Sequence, residues 1–329
     1  MKILIAGLGS IGRRHLRNVA ASGEHEISLY RTHQSTMPEA DLAGYPVYTD
    51  LTQALDQQPD AVVVSNPTAL HLDVAIPAAE RGIHLLLEKP VSHSMERVDE
   101  LQRLVAARNV RVLVGFQYRF HPTLGKVKEW LSAGEIGEPA SFRVVWGDYL
   151  PGWHPWEDYR VGYAARPELG GGVALTLCHP FDYLRWMFGE VQSVWGSAVN
   201  APGLEIGSEG VVDAGLTFVG GLTGTVHLDY VQQPGIHELE IVGTRGMIRW
   251  QNNSGEASLY RAANAAWENV PTPPGFERNH LFIAEAAAFV DLVQGKAATP
   301  CSLADGRKAL EIVLSVLESA TTGRRINVE

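Results

Sequence analysis

Cysteine is scarce in this chain. The two present, Cys178 and Cys301, cannot build a disulfide framework and lack the spacing of a zinc site. No run approaches the roughly 18 apolar residues that a membrane span needs. The opening Met1-Lys2-Ile3-Leu4-Ile5-Ala6-Gly7 reads as a short strand running into glycine rather than as a signal peptide. Basic residues are outnumbered, 27 Lys and Arg against 37 Asp and Glu for a net charge of −10. That balance excludes a general attraction to nucleic acid or to an anionic membrane, though not a local pocket for one phosphate. There are no internal repeats and no low-complexity tract. The expectation from these absences is a soluble cytoplasmic protein with no metal, no nucleic-acid partner and no membrane partner.

What is present is an ordinary globular composition over 329 residues, too long for one hydrophobic core, so two domains are expected. In the first third, residues 3–6, 27–30, 61–65, 84–87 and 110–115 are short apolar runs that read as buried parallel strands. Residues 11–21, 51–57, 70–81 and 96–107 between them carry helical periodicity. Strand and helix alternating at this rhythm argue a parallel sheet covered on both faces.

Between the first strand and the first helix stand Gly7, Gly9 and Gly12, spaced Gly-x-Gly-x-x-Gly. Gly7 permits a tight turn, Gly9 leaves room for a pyrophosphate, and Gly12 lets helix and strand pack closely. The backbone N–H groups at Ser10 and Ile11 open the helix and supply donors and partial positive charge for phosphates. The end of the second strand, Tyr30-Arg31-Thr32-His33, has no acidic residue for the adenosine ribose hydroxyls. Arg31 can instead pair with a 2′-phosphate and stack on adenine. The cofactor expected is therefore NADP, with NAD as the alternative.

Later segments give the chain a resemblance to the Gfo/Idh/MocA family, which includes glucose–fructose oxidoreductase and inositol dehydrogenase. The carriers are residues 60–71 around Ser65-Asn66-Pro67 and His71, the Glu88-Lys89-Pro90 triplet, and Gln117-Tyr118-Arg119-Phe120-His121-Pro122. They continue with Gly134-Glu135-Ile136-Gly137, Gly170-Gly171-Gly172 and His179-Pro180-Phe181-Asp182. The resemblance implies a doubly wound Rossmann domain over residues 1–120. It implies an α+β domain with a large open, mostly antiparallel sheet over residues 121–329, whose outer face makes a homodimer or homotetramer. It also implies that Asn66, Pro67, His71, Glu88 and Lys89 join the cofactor site.

The chemistry of these residue types agrees. Lys89 stands at the carboxyl end of a strand, where open α/β sheets hold ligands, and Pro90 restricts how its side chain leaves the sheet. An ammonium there can stabilise negative charge on oxygen as a hydroxyl becomes a carbonyl. His179, with an ordinary pKa of about 6.5, suits proton exchange with that hydroxyl. Asp182, one helical turn on, can orient the imidazole or bond the substrate. Many relatives carry a carboxylate three or four residues before the histidine, but Leu175 and Thr176 stand here. Thr176 hydrogen-bonds without charge, so any such carboxylate must come from elsewhere. Trp153, Trp156, Tyr159 and Arg160 combine stacking faces with charged donors and suit a polyhydroxylated ring; Tyr118 and Arg119 are expected beside them.

In the second domain, residues 141–146, 191–197, 211–218, 222–230, 237–242 and 247–251 read as strands, with turns at Gly220-Gly221 and at residues 243–246. Residues 280–293 and 303–320 read as core helices. The expected function is NAD(P)-dependent interconversion of a secondary hydroxyl and a ketone on a sugar, cyclitol or related polyol. Lys89, His179 and Asp182 are its catalytic candidates. Two alternatives stand beside it: a nicotinamide-binding sensor without turnover, and an enzyme using tightly held NAD for transient oxidation.

Overall fold

The computed structural model describes residues 1–32 and 42–328; His33 lies outside the described residues. The chain runs β1 (Lys2–Ala6), α1 (Ser10–Ala21), β2 (Glu26–Tyr30), β3 (Val47–Tyr48), α2 (Leu51–Leu55), β4 (Ala61–Val64), α3 (His71–Glu80), β5 (His84–Leu87), α4 (Val98–Arg108) and β6 (Val112–Val114). Then come α5 (Pro122–Ser132), β7 (Pro139–Gly147), α6 (Val173–Thr176), α7 (His179–Phe188), β8 (Val191–Val199), β9 (Val211–Phe218) and β10 (Thr223–Asp229). The remainder is β11 (Ile236–Gly243), β12 (Gly246–Gln251), β13 (Glu256–Arg261), β14 (Ala266–Val270), α8 (Asn279–Val293), α9 (Leu303–Thr322) and β15 (Ile326–Asn327).

Two compact units result. The first comprises Met1–Gln117, Glu168–Gly170 and Glu277–Leu310; the second comprises Tyr118–Pro167, Gly171–Phe276 and Glu311–Glu329. The first unit is thus not contiguous in sequence. The chain returns to it because α8 turns an apolar stripe toward α1: Phe282 meets the edge of His15, and the Arg14 guanidinium lies 4.7 Å over the same ring. Asn18 and Asn279 exchange side-chain hydrogen bonds beside them.

The first unit is built on a six-stranded parallel sheet of order β3-β2-β1-β4-β5-β6. Ile3 to Ala6 and Ala61 to Val64 are fully buried, as strands covered on both faces must be. The order reverses at β1, which places the carboxyl ends of β1 and β4 side by side, where doubly wound sheets bind ligands.

The second unit carries a nine-stranded sheet of order β14-β13-β12-β11-β7-β10-β9-β8-β15. Its pairings are antiparallel except β7 with β10, which is parallel. Parallel neighbours cannot be joined by a hairpin, and here the connection from β7 to β10 contains α6, α7, β8 and β9. One face is packed by helices: Phe188 of α7 stacks on Phe142 and meets Phe218, and Gly196 lets the strand approach Val316 of α9. The other face leaves Trp195, Val199 and Val242 exposed. The six expected strands are all present. The hairpin β13–β14 and helix α5 were not expected from the sequence, and β14 is almost wholly exposed, which removes the alternation that marks a strand. Among the described residues no helix is long and apolar enough to cross a membrane.

Candidate functional site

The three glycines of the first turn answer to different demands. Gly7 has a φ of +94°, and a Cβ there would lie 2.4 Å from the Asn66 nitrogen; at Gly12 a Cβ would lie 1.9 Å from the Gly7 carbonyl oxygen. Both are required by the fold itself. Gly9 has an ordinary φ of −70° and caps α1, and a Cβ placed on it meets nothing within 4 Å. Side-chain packing does not demand glycine there, and its bareness leaves room for a ligand to approach the backbone. No side chain caps the α1 N-terminus and no acid stands in its first turn, so the N–H groups of Ser10, Ile11 and Gly12 keep the field that favours a phosphate. Arg31, at the end of β2, is buried and its backbone N–H bonds the Tyr48 carbonyl at 3.0 Å, while Thr32 is exposed.

The loop after β4 is tied to the Glu88-Lys89-Pro90 segment by His71. Its Nδ1 is 2.9 Å from the Pro90 carbonyl oxygen and its Nε2 is 3.0 Å from that of Asn66. Burial pulls this imidazole below its ordinary pKa against the opposing effects of Glu88 and those carbonyls. A neutral ring donates to only one of the two. Asn66 donates to the Leu70 carbonyl at 2.8 Å, and Pro67 leads into the short turn at Thr68–Leu70. Glu88 is buried, Lys89 is partly exposed, and the Lys89–Pro90 peptide is cis. The Glu88 Oε2 accepts the Lys89 backbone N–H at 3.1 Å, and Oε1 lies 2.7 Å from His15 Nε2. Burial alone would raise the Glu88 carboxyl, but the hydrogen bond and charge of His15, with Lys89, hold it below the usual carboxylate range. A depression of about 840 Å³ lined by Asp60, Arg81 and His84 lies at the amino ends of these strands, opposite to where such sheets bind ligands.

In the second unit His179 opens α7 and is buried. Tyr118 presents its edge to the imidazole at 4.9 Å, and Trp146 lies at 5.6 Å. Trp146 in turn stacks on His237 at 4.1 Å and 4°. His237 Nε2 is 3.2 Å from the Tyr183 hydroxyl, and burial, then His121, drive its pKa well below the ordinary value. Asp182 is engaged by Arg119 through two hydrogen bonds, Nε to Oδ2 at 3.0 Å and Nη2 to Oδ1 at 2.7 Å, with both side chains buried. Arg119, expected to meet the substrate, and Asp182, expected to orient the imidazole or bond the substrate, thus bind each other. The pair couples the segment entering the unit to the first turn of α7, where a carboxylate also suits the helix dipole.

Thr176 is buried at the end of α6. A carboxylate does reach this short helix from afar: Glu209 Oε1 accepts the Ala174 N–H at 3.1 Å and lies against Gly172, and burial raises its pKa. No local pattern announces a partner 35 residues away. In the loop after β7, Trp156 is 61% exposed and Trp153 meets Tyr230 edge-on. Arg160 is committed to Asp158 and Glu205, and the Tyr159 hydroxyl accepts the Glu205 N–H. Of the four loop candidates, Trp156 offers the most open surface.

Residues 1–116 match the family model described as the oxidoreductase family, NAD-binding Rossmann fold. Residues 124–249 match the model described as the GFO/IDH/MocA C-terminal domain. The chain is 28% identical to the 1,5-anhydro-D-fructose reductase of Ensifer adhaerens, over 83% of this chain and 81% of that one. It is 29% identical to the myo-inositol 2-dehydrogenase of Thermotoga maritima, over 75% and 74%. Its fold superposes on that of a levoglucosan dehydrogenase solved in complex with NADH and levoglucosan. The TM-score is 0.89 at 21% identity, covering 100% of this chain and 99% of that one.

Proposed function

Because this chain belongs to the Gfo/Idh/MocA oxidoreductase family, we propose that it interconverts a secondary hydroxyl and a ketone on a sugar, cyclitol or related polyol, using a nicotinamide cofactor. The observation that carries the reading is Gly9: an open glycine at the uncapped start of α1 serves a bound pyrophosphate and nothing in the fold. Chemistry at the named residues follows from their types. The nicotinamide supplies the hydride acceptor. Lys89 donates a hydrogen bond to the substrate oxygen and stabilises the charge that develops there as the carbon–hydrogen bond breaks. His179 takes the hydroxyl proton in the oxidation direction and returns it in reduction. Arg119 and Asp182, paired to each other, act by fixing the first turn of α7, while Tyr118 and Trp146 wall the imidazole.

The absence of an acid at residues 30–32 supports NADP as the preferred cofactor, read by Arg31 and Thr32. The exposed Trp195, Val199 and Val242 on the open sheet face support a homo-oligomer assembled through that face. Relatives named for myo-inositol and anhydrofructose support a cyclic polyol as substrate, with Trp156 stacking on its ring. The test is a panel of polyols and cyclitols followed by absorbance of the reduced nicotinamide with each cofactor. Saturable turnover abolished by Lys89→Ala is expected. A folded protein that binds cofactor but turns over no member of the panel in either direction would refute the proposal.

A further inference from the structure

One group of ionisable side chains in the first unit takes no part in this chemistry. His15 lies on the inner face of α1, Glu88 follows β5 and Glu285 lies on α8. His15 and Glu285 are fully buried and Glu88 nearly so. One nitrogen or oxygen atom from each lies within 4.8 Å of the others. His15 Nε2 meets Glu88 Oε1 at 2.7 Å, and Glu88 Oε2 accepts the Lys89 N–H. A Cβ added to Gly115 would lie 3.2 Å from the Glu88 carboxyl, so the backbone walls it on that side. Among the described residues, His15 Nδ1 and both Glu285 carboxyl oxygens find no hydrogen-bond partner.

Two carboxylates this close in a dry interior cannot both stay charged beside one imidazole. The groups that interact with Glu88 are His15, Lys89, Arg14 and His71, and two of them, His15 and Lys89, favour its charged form. Among the described residues Glu285 has no cation of its own. Burial, and then the charge of Glu88, push its carboxyl well above the usual range.

We propose that His15 and Glu285 are positioning residues for Lys89: with Glu88 they form a closed buried cluster that keeps a proton on Glu285 and a negative charge on Glu88, where that charge anchors the Lys89 backbone. The proposal rests on Lys89 polarising the substrate oxygen. His15 supplies the donor that fixes the Glu88 carboxylate, and protonation of Glu285 removes the repulsion that would otherwise drive the carboxylate away from the Lys89 N–H.

The experiment has two arms. Infrared spectra of the whole protein at neutral pH, wild type against Glu285→Gln, should show a protonated-carboxyl stretch that only the wild type has. In steady-state kinetics, His15→Leu should lower kcat by up to about 100-fold, since small misplacements of reacting groups cost that much, with cofactor affinity little changed. His15→Gln, which returns an N–H toward Glu88, should recover most of the loss. An identical carboxyl band in wild type and Glu285→Gln would overturn the proposal. So would an unchanged kcat in folded His15→Leu. Stoichiometric Zn²⁺ retained through dialysis by the wild type and lost in Glu285→Gln would also overturn it, by making a metal the counter-charge. Turnover by Lys89→Ala would instead overturn the catalytic reading, leaving the infrared arm to report on the cluster alone.

Discussion

Acid should weaken the second unit through His121. This imidazole is 2% exposed and packs edge-on against Trp250 at 5.2 Å and Phe276 at 5.3 Å. Its Nδ1 lies 3.1 Å from the Thr123 hydroxyl, which donates its only proton to the Gly255 carbonyl at 2.9 Å and accepts from Trp250 Nε1 at 3.0 Å. The Thr123 oxygen must therefore accept from His121 as well, which places the ring proton on Nδ1. Burial lowers the pKa of the ring from 6.5 to about 4. The folded state resists protonation where the unfolded chain accepts it, so stability rises with pH across that window. The contribution is whole above pH 6.5, declines as pH falls, and is lost below about 4. Its size is about 3 kcal/mol, a roughly 300-fold difference in proton affinity at about 1.4 kcal/mol per tenfold. His121→Asn keeps an N–H near the Nδ1 position but does not titrate in this range. All eight tryptophans belong to the second unit, so urea unfolding followed by tryptophan fluorescence reads that unit alone. The variant should be less stable than wild type at neutral pH by about 1–3 kcal/mol from lost packing. The gap should close or reverse as pH falls through the window. Parallel stability–pH curves for the two proteins would refute the assignment.

Three further outcomes are expected. Gly9→Val should abolish cofactor binding by calorimetry while circular dichroism and thermal unfolding stay near wild type, whereas Gly12→Ala, with its Cβ against the Gly7 carbonyl, should cost at least about 1–3 kcal/mol of stability; a folded Gly9→Val that binds with full affinity would remove the turn from the cofactor site. Arg31→Ala should weaken NADP by about 1.5–3 kcal/mol, the range for a charge-assisted contact, and leave NAD nearly untouched; equal losses would show that Arg31 does not read the 2′-phosphate. His179→Ala should lower turnover by about 10²–10⁴ without altering cofactor affinity, and wild-type turnover with chemistry rate-limiting would take it out of the mechanism.

The first unit was legible because its signals are local. Buried parallel strands are apolar runs, and the glycine turn sits between one of them and a periodic helix. What sequence reasoning missed lies in pairings between distant positions. Arg119 and Asp182 are 63 residues apart, so Arg119 looked aimed at substrate and Asp182 at the imidazole or the substrate rather than at each other. The return of α8 to the first unit is carried by Phe282 and Asn279, whose partners lie on α1. Glu285 did leave a trace: a glutamate set within the stripe of Phe282, Ala286 and Phe289, all buried, marks a polar group with a reason to be inside. His237 and Trp146 read only as alternating strand residues, because their stacking depends on the register that sets His237 opposite Trp146.

The parallel contact between β7 and β10 separates two things that most sheets join. Its crossover carries Trp153, Trp156, Tyr159, Arg160, Thr176, His179 and Asp182, whereas the register of β7 with β10 and β11 is fixed by the strands' own alternation. A longer loop there costs little, about 0.6 kcal/mol for each doubling of its length. The stretch 148–172, which lies between β7 and α6 and holds no strand of the sheet, can therefore be lengthened or shortened while β7 and β10 keep their pairing. Under the proposed function, the loop candidates Trp153, Trp156, Tyr159 and Arg160 and the strand pairing of β7 with β10 are thus encoded in different stretches of this chain.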